Sequence, residues 1–124
     1  MLNKRFLRFH LPLAAYALLI FVLSSIPSLS PPDLGLDWED KIAHFIEYSI
    51  LGVLIIRSLE ATSATLTAGW LWIAWGLGAF YGITDEIHQY FVPNRFASPW
   101  DATADAIGVA IGILIYRQFR IMHK

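Results

Sequence analysis

Four stretches of this chain are apolar on nearly every face, and short polar or proline-containing breaks separate them. The first covers 11–26 and stops at Pro27, with Pro31 and Pro32 behind it. Proline removes a helical hydrogen bond and crowds the preceding turn, so the break is firm. The second covers 42–59, the third 66–91, ending ahead of Pro93, and the fourth 99–117. A helix needs about 20 mostly apolar residues to cross the hydrocarbon of a bilayer. The pattern therefore predicts an all-α, polytopic membrane protein: one domain, 1–124, with four transmembrane helices packed as a small bundle.

Local signals support two of the starts. Asp37 is a candidate N-cap for the second helix, with Trp38, Glu39 and Asp40 in its first turn. Ser98-Pro99-Trp100-Asp101 combines a capping Ser, Pro at the first helical position and an acid at the third. The short connection from Arg57 to Thr65 makes helices two and three antiparallel neighbours. Lys4, Arg5 and Arg8 ahead of an apolar stretch ending in Ser24 and Ser25 also resemble a signal peptide, but no A-x-A-like cleavage site is clear. The first stretch is therefore read as a retained span.

Composition agrees with a bilayer as solvent. The chain is 56% hydrophobic and 15% charged, against about 45–50% and 25% for soluble domains. A soluble fold of this size could not bury so much apolar surface. The absence of cysteine excludes disulfides, iron–sulfur clusters, thiolate zinc sites and a cysteine nucleophile. No basic run interleaved with aromatics points to nucleic acid, and no Gly-rich phosphate loop is present.

The charges are sorted by segment. Lys4, Arg5, Arg8, Arg57, Arg117, Arg120 and Lys124 fall on one side of the predicted spans. By the excess of Lys and Arg in cytoplasmic loops, both termini are expected in the cytoplasm, in the bacterial inner membrane. Nine of the ten carboxylates then lie at the opposite face; Glu60 is the exception.

Candidate site residues sit at that outer end. Helix two carries His44, Glu47 and Tyr48; helix three Asp85, Glu86, His88 and Gln89; helix four Asp101 and Asp105. The i, i+3 and i+4 spacings place each set on one face. Ionisable groups inside a membrane are costly unless paired or facing water, so they are functional candidates. Arg95, in the loop between two acidic segments, suits a phosphate or carboxylate through its two-pronged guanidinium. Gly78/Gly82 and Gly108/Gly112 form two GxxxG pairs, which predict close packing of helices three and four.

These residues also carry a resemblance. Asp40-Lys41-x-x-His44-x-x-x-Tyr48-x-x-Leu51-Gly52, and Asp85-Glu86-x-x-Gln89-x-Phe91-Val92-Pro93-x-Arg95 with Asp101, Gly108 and Gly112, resemble the signatures of VanZ-like membrane proteins. The family pattern usually has Gly at the place of Asn94 and Asn at the place of Asp105. The resemblance implies a link to low-level resistance to teicoplanin, a lipoglycopeptide acting on envelope precursors outside the cell.

Three functional readings remain open. The first is a non-enzymatic envelope protein holding a lipid headgroup, with membrane lipids, lipid-linked envelope precursors or the lipoglycopeptide as partners, and a homo-oligomer as one assembly. The second is a membrane-embedded hydrolase or transferase, with His44 or Glu47 as base, Asp85 or Glu86 as its partner and Arg95 stabilising negative charge. The third is a proton-coupled transport component titrating Glu47 and Asp105. No recognised catalytic signature is present, which favours the first. The His and carboxylate mix suits a hard or borderline divalent metal, yet no ligand motif singles one out and no cofactor is predicted.

Overall fold

The computed structural model describes residues 3–26, 39–63, 67–93 and 97–123. Among them are four α-helices and no strand: α1 (Leu11–Ser24), α2 (Glu39–Thr62), α3 (Ala68–Tyr90) and α4 (Pro99–Met122). A π-helical turn, Phe6–His10, leads into α1. The cause is local. Pro12 in the first turn of α1 has no N–H to give to the carbonyl four residues back. That carbonyl, on Arg8, accepts from Arg57 Nη1 at 2.8 Å, and the Leu11 N–H reaches back five residues to Phe6.

The start of α4 follows the expected chemistry. Ser98 has an extended backbone and its hydroxyl accepts from the Trp100 N–H at 3.1 Å. Pro99 then opens the helix and Asp101 lies in its first turn. The Asp37 cap expected for α2 lies outside the described residues. Two helices run past their expected ends. Helix α2 continues beyond residue 59 to Thr62, and α4 beyond 117 to Met122. The added turns are held by polar contacts: Arg120 Nη2 meets Glu60 Oε1 at 2.8 Å, and Thr62 Oγ1 donates to the Ser58 carbonyl. Apolar length alone underestimates a helix whose last turn is secured in this way.

Helices α2 and α4 form the most intimate pair. A Cβ placed on Gly108 would meet the Phe45 carbonyl, one on Gly112 the Ser49 carbonyl, and one on Gly52 the Val109 backbone. Only glycine permits that approach, and packing of this kind is what associates helices where lipid gives no hydrophobic drive. The expected α3–α4 role of both glycine pairs is therefore half right. Gly78 and Gly82 do abut Val109 and Asp105 of α4, whereas Gly108 and Gly112 serve α2.

Burial is inverted relative to a soluble fold. Leu18, Phe21, Trp72, Phe80 and Ile87 are exposed, while Asp85, Glu86, Gln89, Asp101, Asp105 and His44 are buried. Three helices are long and apolar enough to cross a membrane: Phe6–Ser24, Lys41–Thr62 and Pro99–Met122. The remaining one, α3, is broken up by Trp, Tyr and Gly. An apolar spine of Ile20, Leu51, Ile56, Ala74, Val109 and Ile113 joins all four helices. At one end of this spine lie Arg5, Arg57 and Arg120; the buried acids gather at the other.

Candidate functional site

Helix ends assemble the acidic pole. The antiparallel run of α2, α3 and α4 brings the first turns of α2 and α4 to the last turns of α3. On α2, Lys41, His44 and Tyr48 follow at helical spacing. The Lys41 ammonium lies 3.4 Å from Asp101 Oδ1. His44 Nδ1 is 2.7 Å from Asp105 Oδ1 and 3.6 Å from Glu86 Oε1. Glu86 Oε2 accepts from the Ser98 backbone N–H at 3.2 Å, tying α3 to the cap of α4.

Asp85 is held on both oxygens. Tyr48 donates its hydroxyl to Oδ2 at 2.9 Å, and Gln89 Nε2 approaches the same oxygen at 3.4 Å. Ser24 Oγ donates to Oδ1. This last donor comes from α1, which the sequence reading did not place in the site. Tyr16 of α1 likewise donates to the Glu47 carbonyl at 2.8 Å, and Tyr81 of α3 donates to Ala17. The paired serines ending an otherwise apolar stretch were the available signal. Helix α1 is thus part of the architecture that positions Asp85.

Seven of the ten candidate residues come together: His44, Tyr48, Asp85, Glu86, Gln89, Asp101 and Asp105. Two do not. His88 turns to α1, stacking on Phe21 with ring centroids 4.8 Å apart and pairing with Ser25 Oγ at 2.8 Å. Glu47 is half-buried on a neighbouring face of α2, where its backbone carbonyl accepts from Tyr16. Arg95 lies outside the described residues.

Two overlapping triads have metal-ligand character, His44/Glu86/Asp101 and Asp85/Glu86/Asp105, each with its ligand atoms within 4.8 Å of one another. Among the described residues, Glu86 Oε1 and Asp105 Oδ2 are buried without a hydrogen-bond partner. The pole therefore offers acceptors and negative charge, enclosed by helices.

Residues 9–122 match the model of the VanZ/LLP1 family. The chain belongs to that family. No curated protein and no solved structure matches it. The VanZ/LLP1 match, together with the apolar helices, marks a membrane protein. The fold gives the two signature stretches a spatial meaning. His44 and Tyr48 from the first stretch meet Asp85, Glu86, Gln89 and Asp101 from the second. Asp105, where the VanZ-like pattern usually has Asn, is fully buried against His44.

Proposed function

We propose that this protein binds the polar head of an envelope lipid, or of a lipid-linked envelope precursor, at the acidic pole of α2, α3 and α4, and that this binding lowers susceptibility to teicoplanin. The observation carrying the proposal is the gathering of His44, Asp85, Glu86, Asp101 and Asp105 inside helices of a membrane protein. Such groups are expensive in a bilayer and are retained for function by default. Their chemistry narrows the ligand. Carboxylates repel a bare anionic head; they accept from hydroxyl or amine groups, or meet an anion through a bridging cation.

An apolar groove of about 830 Å³ along α3 and α4 supports a lipid ligand. It is lined by Leu71, Trp72, Trp75 and Leu114 and reaches Ile83 and Ala102, within two residues of Asp85 and Asp101 in sequence. An acyl or prenyl chain in the groove would bring its head to the level of the pole. In this proposal the chain crosses the bacterial inner membrane four times. The 23 residues of α3, at about 1.5 Å each, are long enough to span. The acidic pole then faces outward, where envelope precursors are exposed, and the arginines face the cytoplasm.

The test is expression in a teicoplanin-susceptible bacterium, with the inhibitory concentration compared for the wild-type chain, Asp85→Asn and an empty vector. Purified protein from the same cells is assayed for co-purifying lipid. The expected result is a several-fold rise in tolerance and retained lipid for the wild type, both reduced in Asp85→Asn at equal membrane level. Wild-type tolerance equal to the empty vector, with no retained lipid, sinks the proposal.

A further inference from the structure

We infer that the acidic pole holds a divalent cation, ligated by His44, Glu86 and Asp101 with Asp105 beside them. The inference rests on the reading of the pole as a binding site and names what occupies its centre.

Three observations lead there. The first is geometry. Glu86 belongs to both triads, and the ligand atoms in each lie within 4.8 Å of one another. Bonds of about 2.0–2.6 Å to a hard cation place opposed ligand atoms roughly 4–5 Å apart. The described side chains are thus already spaced to surround one ion.

The second is unmet acceptor capacity. Glu86 is 6% exposed and Asp105 0%, yet Glu86 Oε1 and Asp105 Oδ2 have no hydrogen-bond partner among the described residues. The closest approach to Glu86 Oε1 from His44 is 3.6 Å, too long for a hydrogen bond. Buried polar atoms in native proteins are almost always satisfied, and each exception calls for a cause. Among the described residues, the donors Ser24, Tyr48 and Gln89 converge on Asp85 instead. They orient one carboxylate and leave the others facing inward, as supporting residues do around a metal.

The third is charge. Four carboxylates, Asp85, Glu86, Asp101 and Asp105, share this enclosed space, where Lys41 lies beside Asp101 and His44 beside Asp105 and Glu86. A buried carboxylate without compensation either takes up a proton or recruits a cation. A water molecule would satisfy an acceptor but would not supply the charge. A divalent ion does both. Its donor set would be one imidazole and several carboxylates without sulfur, which selects the Mg²⁺, Mn²⁺ and Zn²⁺ class over soft metals. Open coordination positions on such an ion also explain how an acidic pole accepts an oxygen-rich, anionic head.

The experiment uses the full chain purified in detergent, stripped with chelator and titrated with Mn²⁺ under electron paramagnetic resonance. Saturable binding of about one Mn²⁺ per chain is expected. Glu86→Gln and Asp105→Asn should each weaken it at least about ten-fold, while Glu60→Gln, at the opposite end, leaves it unchanged. Mn²⁺ should also raise the melting temperature of the wild-type chain, a readout that needs no variant. Absence of saturable binding in the folded wild type, or equal affinity in folded Glu86→Gln, overturns the inference. Co-purifying lipid is measured in the same preparations. Mn²⁺ binding without lipid retention upholds the cation and removes the headgroup reading. Lipid retention without Mn²⁺ binding removes the cation and leaves the headgroup.

Discussion

His44 of α2 and Asp105 of α4 meet at 2.7 Å across an interface built from glycine. Gly108 follows Asp105 by three residues, and the atom that a Cβ there would strike is the carbonyl of Phe45, the neighbour of His44. The close backbone approach and the buried His–carboxylate contact are therefore one feature. The glycine brings the helices near enough for two short side chains to touch.

This coupling predicts opposite outcomes for two glycine substitutions. Gly112→Ala puts a methyl against the Ser49 backbone, which cannot move aside as a side chain can. Overpacking of this kind costs about 1–3 kcal/mol. Gly76→Ala has nothing within 4 Å of the new atom and should be neutral or slightly stabilising. Thermal unfolding in detergent measures both. Equal melting of Gly112→Ala and wild type would contradict the packing.

Substitutions at Asp105 separate its charge from its hydrogen bond. Asp105→Asn keeps an oxygen for His44 and removes a buried charge, so stability should stay within about 1 kcal/mol of wild type. Asp105→Ala takes away the His44 partner and opens space beneath Gly82, and should cost about 1–3 kcal/mol. Denaturation midpoints of the two variants should rank Asn above Ala. The reverse order would mean that the oxygen contact to His44 does not stabilise the α2–α4 pair.

Asp85 joins α1 to the site through Ser24 and to α2 through Tyr48. Interhelical side-chain hydrogen bonds in membranes average about 0.6 kcal/mol, with about 1.7 as the upper end. Ser24→Ala and Tyr48→Phe should each fall in that range. Together they should cost more than their sum, because Asp85 then keeps only the long contact from Gln89 among these donors. A double-mutant cycle on thermal stability reads the coupling, and strict additivity would show that the two donors act independently.

Much of this arrangement is legible in the sequence, and the omissions share a cause. Helical spacing identifies His44/Tyr48, Asp85/Gln89 and Asp101/Asp105 as faces, and the sorting of charges brings those faces to one end. Spacing does not say which neighbour a face meets. Gly108 and Gly112 mark a close approach, but α2 rather than α3 makes it. Ser24 and Ser25 close an apolar stretch with no periodic signal, so their contacts with Asp85 and His88 become apparent only once α1 is packed. Glu47 lies three residues on from His44, about a sixth of a turn off the same stripe, and stays outside the buried cluster.

The opposed poles of α4 make orientation measurable. The chain has no cysteine, so a single introduced thiol reports its own position. Trp100 is exposed at the acidic end and Phe119 at the arginine end of the same helix. If the arginines hold their end in the cytoplasm, Trp100→Cys reacts with a membrane-impermeant maleimide in intact cells. Phe119→Cys then reacts only after permeabilisation. Ser63→Cys, between α2 and α3, should behave like Phe119→Cys, because α2 and α4 run in the same direction. Labelling of Trp100→Cys and Phe119→Cys from the same side would mean that α4 does not span. The acidic pole would then lose the outward exposure that headgroup binding requires.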